Sequence, residues 1–370
     1  MIPYRTRADS IHTLRDTAIG EGKMQTRVAK VSKDTVDILN EAGALLRNGE
    51  LVAFPTETVY GLGANAFDAD ACKRIFEAKG RPSDNPLIVH VSEPSEAENI
   101  AYTCPLYYEL ASRFMPGPLT VILPKKEVIP PEVTAGLDTV AVRCPENEIA
   151  RALIKSSKIP IAAPSANASG KPSPTSADHV YNDLNGKIPL ILDGGACKFG
   201  VESTVITIKD GKIIVLRPGS VTPEMLRDVC ESVEIAEAVK KELRADEQAL
   251  SPGMKYKHYA PNASLYLIDD NHINFVEFTR EKQKTENCAV MCYDEEIPHL
   301  ENKKLLPVGK KQDIKHQTKM LFELLRQADN LRVDTVYAHL PNDDGESLAI
   351  YNRMIRACAH RVIGGRNGEG

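Results

Sequence analysis

Two cations, an amide and several hydroxyls crowd one short stretch of this chain. Lys79 and Arg81 flank Gly80, Ser83 and Asn85 follow on the same loop, Thr56 and Thr58 precede it, and His90 closes it. Cations with amide and hydroxyl donors suit a polyphosphate, because a guanidinium or ammonium makes charge-assisted hydrogen bonds to phosphate oxygens. The alternative is a solvated loop with two ordinary basic residues. A second group, Ser165, Asn167 and Ser173, stands in the Pro-, Ser- and Gly-rich stretch 163–175. Its Ser-Gly-Lys imitates a phosphate-binding P-loop, but the first glycine is missing and Pro172 stands where Ser or Thr must follow the lysine. That excludes a Walker A motif and leaves a generic turn or a polar loop against a nucleotide. Arg143 sits inside TVAVRC, an alternating strand pattern. An arginine there is costly unless it meets an anion or points to solvent from an edge strand.

These groups need elements to hold them. An apolar run at 51–54 reads as a strand that Pro55 stops, and Gly61 and Gly63 let backbone pass close to something. A helix over 70–79 ends at Gly80, and a second apolar run, 87–91, contains His90. The unit is strand-turn-helix-loop-strand with its polar residues at element ends, where α/β folds place ligand sites. Around it the pattern predicts helices at 32–48, 94–101, 106–114, 147–157, 174–184, 223–229 and 233–243, and strands at 119–124, 139–144, 159–163 and 189–192. The 119–124 run is continuously apolar, so it is expected to be buried on both faces. Runs at 203–208 and 212–216 joined through Asp210-Gly211 predict a hairpin. Its antiparallel ends bring Ser203 beside Arg217.

After a polar stretch at 245–250 comes SPGMKYKHYAP, 251–261, with Lys255, Tyr256, Lys257, His258 and Tyr259 between prolines. It is either a basic tether on the surface or a lid over an anionic ligand. Beyond it, strands at 264–268, 288–293, 305–308 and 335–339 alternate with helices at 273–281, 314–328 and 347–359, which predicts a small parallel α/β domain. That domain has no GxGxxG and no clustered catalytic types. The domain plan is an extension at 1–31, a catalytic domain at 32–245, a linker or lid at 246–261, a small domain at 262–362 and a disordered tail at 363–370. Met24 is expected as the native start, with the residues before it an upstream extension that an intact mass would exclude.

A length of 370 residues fits about two domains, and 42% hydrophobic with 26% charged residues is ordinary globular composition. A net charge of −5 argues against a general phosphate-backbone binder but not against a local basic pocket. Eight cysteines form no CxxC pair, so reduced buried thiols in the cytosol are expected rather than a zinc site. No apolar run approaches the ~18 residues of a membrane span.

The string FPTETVYGLG followed by KGRPSDNPL resembles the signature of the YrdC-like family, the threonylcarbamoyl-AMP synthases. The resemblance covers about 34–261. The C-terminal part resembles, more weakly, the extra domain of the long two-domain members. It implies an α/β fold, a twisted mixed sheet with a large concave site linked to a small Rossmann-like domain. The implied reaction joins L-threonine, bicarbonate and ATP into L-threonylcarbamoyl-AMP and pyrophosphate, with Mg²⁺ accompanying ATP. The product feeds threonylcarbamoyladenosine formation beside the anticodon of tRNA, passing to a tRNA threonylcarbamoyl transferase complex. Lys79-Gly80-Arg81 and Ser165-Ala166-Asn167 match the family's KxR…SxN motif, which makes Lys79 and Arg81 the catalytic candidates. By the same resemblance Arg81, Asn85, Thr139, Ala163, Ser165, Asn167, Ser173, Arg217 and Tyr256 belong to the ATP site. Thr58, His90, Arg143 and Ser203 match the positions that hold L-threonine. His90 fits a ligand-orienting role better than that of a general base. The implied enzyme is cytoplasmic, with no membrane and no stable nucleic-acid partner. Competing readings are an RNA-binding module of the same fold, a carbamoyl-transfer enzyme of the hydrogenase-maturation type, and a scaffold whose C-terminal domain is the working part.

Overall fold

The computed structural model describes residues 24–241, 259–301 and 304–364. Eleven strands form one mixed sheet: β1 (Arg27–Lys30), β2 (Val52–Phe54), β3 (Gly61–Asn65), β4 (Ile88–His90), β5 (Leu119–Pro124), β6 (Thr139–Arg143), β7 (Ile161–Ala163), β8 (Leu190–Asp193), β9 (Thr204–Lys209), β10 (Lys212–Arg217) and β11 (Val233–Ile235). Their order is β1-β8-β2-β3-β7-β4-β6-β5-β9-β10-β11. A sheet of this size carries the right-handed twist of its strands. The central strands are buried on both faces, as the unbroken apolar run of β5 requires. Leu62, Ile75, Phe76 and Leu110 pack on one side. On the other, the helices Val36–Arg47 and Glu148–Ser157 press Leu39, Leu46 and Leu153 against Phe54 and Ile161. Each such side chain stabilises the fold by roughly 1.5–3 kcal/mol when fully buried.

Several elements depart from the sequence reading. The stretch holding Gly61 and Gly63 is strand β3, antiparallel to both β2 and β7. Its glycines do serve close approach: a Cβ on Gly63 would lie 2.7 Å from Cγ2 of Ile161, and one on Gly61 3.1 Å from the Phe54 ring. The predicted helix over 233–243 begins instead as β11, parallel to β10, followed by a 3₁₀ turn at Glu237–Val239. Val233 and Ile235 alternate with Glu234, a period of two that fits a sheet edge. Strand β1, parallel to β8, lies ahead of the boundary expected at 32.

The second sheet is wholly parallel: β12 (Ser264–Ile268), β13 (Cys288–Cys292), β14 (Leu305–Pro307), β15 (Thr335–His339) and β16 (Val362–Ile363), in the order β14-β13-β15-β12-β16. Helices Phe275–Thr285, Ile314–Asn330 and Leu348–Ala357 cover it. The two domains are pinned by charge and close packing. Arg326 pairs with Asp183 at 2.8 Å and donates to the Pro172 carbonyl at 2.5 Å. Val59 and Val201 of the first domain join the apolar core of the second. Gly200 lies so near the Ile314–Asn330 helix that a Cβ would fall 2.3 Å from the Lys319 carbonyl oxygen. Six of the eight cysteines are buried and all are free.

Candidate active site

Strand register carries a row of polar groups across the first sheet. His90 on β4 stands opposite Arg143 on the parallel β6. Arg143 follows Val142, which pairs with Val121 on β5, so Thr120 is its antiparallel neighbour. Thr120 Oγ1 lies 2.8 Å from the Ser203 hydroxyl at the start of β9. Arg217, at the end of β10, donates from Nε to the Ser203 carbonyl at 3.1 Å and from Nη2 to its hydroxyl at 3.2 Å. The hairpin thus brings a hydroxyl and a guanidinium together as its turn predicts. A bulge between Val215 and Arg217 adjusts the register there.

This row floors a cleft. Lys79, Arg81, His90, Arg143, Ala163, Ser165, Asn167, Ser203 and Arg217 all line it. Ser169, Gly170 and Glu202, not singled out in the sequence, line it too, as do Thr56 and Tyr259, which the sequence reading named without placing them in a ligand site. Thr58, Asn85, Thr139 and Ser173 lie outside the lining. Thr58 is buried with its hydroxyl 2.8 Å from that of Thr56, and Ser173 donates to Glu202 at 2.5 Å. Thr139 begins β6, opposite Pro124, at the other end of the strand from Arg143. Asn85 is fully buried, and neither polar atom of its amide has a partner among the described residues. Tyr256 falls outside the described residues.

The helix Ala69–Lys79 sets the two motif cations. Asp68 caps its start, accepting from the backbone of Asp70 and Ala71. Gly80 ends it in the left-handed conformation, φ 62°, which turns the chain between Lys79 and Arg81. Lys79 is buried, and Nζ donates to the carbonyls of Ser165 and Asn167 at 2.5 and 2.6 Å and to the Asn167 amide oxygen at 3.3 Å. It clamps the 165–167 loop to the helix. Burial, with Arg81 beside it, holds its ammonium well below the usual lysine range. Arg81 lies over the Phe76 ring, 5.9 Å from its centroid.

Arg143 is buried, not turned to solvent. Its Nη2 meets Glu57 Oε1 at 2.6 Å, both side chains being 4% exposed, and its buried Nε has no partner among the described residues. Glu57 Oε2 also accepts from the backbone of Asn147. Burial, with Arg143 adjacent, lowers His90 to about 3, so its ring is neutral near pH 7. Its Nδ1 faces the Ile88 carbonyl at 3.1 Å. Burial lowers Arg217 to about 10, and it stays charged near pH 7. Tyr259 enters the cleft from the second domain, stacked on Phe322 with centroids 5.1 Å apart. Sequence reading chose Tyr256 from the same aromatic cluster. The next residue, Ala260, donates to the Gly170 carbonyl at 3.1 Å and ties the described end of that segment to the polar loop.

Fold and cleft define a YrdC-like α/β domain joined to a parallel-sheet domain that contributes to the same cleft. Residues 44–219 match a family model described as "Telomere recombination", and 221–359 match one described as "Threonylcarbamoyl-AMP synthase, C-terminal domain". A threonylcarbamoyl-AMP synthase of Bacillus subtilis is 44% identical over 326 residues, covering 87% of this chain and 93% of that one. One of Pyrococcus abyssi is 45% identical over 332 residues, covering 87% and 94%. Among solved structures, Pyrococcus abyssi Sua5 complexed with L-threonine superposes with a TM-score of 0.80 at 42% identity, covering 92% of this chain and 98% of that one. The chain belongs to the threonylcarbamoyl-AMP synthase family, in its long two-domain form.

Proposed function

We infer that this chain condenses L-threonine, bicarbonate (or carbon dioxide) and ATP into L-threonylcarbamoyl-AMP, releasing pyrophosphate, and that the product serves threonylcarbamoyladenosine formation in tRNA. The observation that carries the residue assignments is the polar row from His90 through Arg143 to Ser203 and Arg217, with a buried guanidinium nitrogen of Arg143 still available. Buried polar groups are hydrogen-bonded as a rule, so that nitrogen and the amide of Asn85 support polar ligand contacts. Arg143 meets the threonine carboxylate, its other face fixed by Glu57. Thr58, His90 and Ser203 address the amine and hydroxyl of threonine. A site built around a hydroxyl discriminates strongly against ligands that lack one.

The threonine amine, its ammonium proton given up to solvent, attacks the carbon of carbon dioxide, whose π electrons go to oxygen as a second amine proton leaves, or that of bicarbonate, which loses hydroxide as water with that second proton; either route gives a carbamate. A carbamate oxygen then attacks the α-phosphorus, and the bond to the pyrophosphate oxygen breaks with that group taking the electron pair. Negative charge grows on phosphate oxygens, where Arg81 and Arg217 stabilise it. Lys79 acts mainly by holding the 165–167 loop, whose Ser165 and Asn167, with Ala163, line the nucleotide site; Asn85, Ser173 and Thr139 are assigned to it by the family resemblance, from outside the cleft lining. His90, neutral and buried, orients the ligand rather than carrying protons. Tyr259, and Tyr256 on the segment before it, close the cleft against water, which would hydrolyse an adenylate.

Mg²⁺ travels with ATP in this reading. Among the described residues no three His, Cys, Asp or Glu side chains are placed to hold a metal, and the cleft carboxylate Glu202 has both oxygens engaged. The donor set does not fit a resident cation, so the ion belongs to the nucleotide as substrate. A cytoplasmic location and hand-over to a tRNA threonylcarbamoyl transferase complex follow from the same reading. No helix among the described residues is long and apolar enough to cross a membrane. Incubation with ATP, bicarbonate and L-threonine, followed by mass analysis, tests the chemistry. The expected product has the mass of threonylcarbamoyl-AMP and carries ¹³C from labelled bicarbonate. AMP without a carbamoylated product contradicts it.

A further inference from the structure

The C-terminal domain sends a fully buried arginine to the cleft carboxylate Glu202. Arg353, on the Leu348–Ala357 helix, donates from Nε to Glu202 Oε2 at 2.8 Å and from Nη1 to the Pro218 carbonyl at 2.8 Å. Its Nη2 reaches the Glu202 carbonyl at 3.4 Å. Glu202 immediately precedes Ser203 and Pro218 immediately follows Arg217. One guanidinium therefore ties together the two chain segments that carry Ser203 and Arg217. We propose that Arg353 is a positioning residue of the catalytic cleft, through which the C-terminal domain fixes Glu202 and, with it, Ser203, Ser173 and Arg217.

The electrostatics give this arrangement a measurable signature. Glu202 is buried with Arg353 on the last helix, Arg217 on β10, Ser173 on the polar loop, Tyr259 from the segment entering the second domain and Lys79 from the motif helix around it. Burial alone raises its carboxyl, but Arg353, Arg217 and the Ser173 hydroxyl outweigh it and hold the group at about 2. Without Arg353 the carboxylate keeps Arg217 as its principal cation. It then either draws Arg217 away from the substrate phosphates or takes a proton at higher pH. A misplacement of such a group by about 1 Å can cost about 100-fold in rate. The packing supports the same geometry: a Cβ on Gly219 would lie 2.5 Å from the Thr204 nitrogen and 2.7 Å from the Glu202 carbonyl oxygen, so the two segments already touch.

The inference rests on the cleft being the adenylate-forming site. Its test uses the full chain with Arg353→Met, Arg353→Lys, Glu202→Gln and the double variant Glu202→Gln/Arg353→Met. Threonine-dependent pyrophosphate release is followed from pH 3 to pH 9, and ATP binding is measured by calorimetry. Arg353→Met is expected to lose about 100-fold in kcat/KM, with weaker ATP binding. The acid limb of its pH profile should move up by about 1–3 pH units as Glu202 loses a partner. Arg353→Lys keeps the charge but cannot bridge Glu202 and Pro218 together, and should fall between. The double variant, with no carboxylate left to protonate, should lose the acid limb. A folded Arg353→Met with wild-type kinetics and an unmoved acid limb overturns the proposal. Should Arg353→Met not fold, wild-type kinetics from Arg353→Lys overturn it equally. If the unaltered chain shows no threonine-dependent release, the functional reading fails by itself. The positioning claim is then decided by ATP affinity, which Arg353→Lys must weaken.

Discussion

Arg143 shows how much a single side chain is asked to do. It ends strand β6, shares a buried ion pair with Glu57, and its buried Nε has no partner among the described residues. Removing one member of a buried pair leaves the other charge unsolvated, at a cost of about 3–5 kcal/mol. Arg143→Met should therefore lose stability of that order in urea unfolding, and Glu57→Gln with it should recover most of the loss. A single variant as stable as the parent would show the pair to be irrelevant. His90 makes a second residue-scale prediction. Its folded value of about 3 lies below the usual 6.5, so under acid the unfolded chain takes a proton that the folded chain refuses. Stability is fully present above about pH 6.5 and is lost as pH falls toward 3. His90→Asn should flatten that slope, read from unfolding at pH 7.5 and 5. An unchanged slope would mean the imidazole is not held neutral. At this scale the candidate cations, hydroxyls and amides were legible because types and motif spacing mark them. Glu57, Glu202 and Arg353 were not, because their meaning lies in partners 86 and 151 positions away along the chain.

Elements convert that spacing into geometry. The Asp210-Gly211 turn predicted the Ser203–Arg217 encounter correctly, since turn type fixes hairpin register. Gly80 marked a helix end, and the unbroken apolar run at β5 marked a strand covered on both faces. Short glycine-bearing β3 was legible only as a place of close approach, because its strand character comes from β2 and β7 on either side. Gly63 is the test of that packing. An alanine Cβ would intrude to 2.7 Å from Ile161 and 3.0 Å from the Phe54 ring. Gly63→Ala should destabilise by about 1–3 kcal/mol, the usual cost of overpacking a core. A pairing change Ile161→Val in the same chain should relieve part of it. No loss of stability would mean that β3 is less closely held than the structure has it.

At the scale of the whole molecule the second domain packs closely on the first. Arg326 grips Asp183, Tyr259 stacks on Phe322 while facing the cleft, and Gly200 gives the Ile314–Asn330 helix room to approach. Gly200 has φ +81° and no space for a side chain, so Gly200→Ala should push the domains apart. The expected readings are a lower thermal midpoint and faster cleavage by protease at the junction. Unchanged values for both would contradict a tight interface. The parallel order of the second sheet was legible from its alternation of strands and helices. How that domain meets the first was not, since docking depends on shapes that no local pattern records. The most direct test of the central claim is pyrophosphate release from ATP and bicarbonate, measured with L-threonine, with serine, with valine and with no amino acid. Release that requires L-threonine and disappears in both Arg81→Ala and Arg143→Ala is the predicted result. Release indifferent to threonine, or unaffected by those two substitutions, would contradict adenylate formation in this cleft.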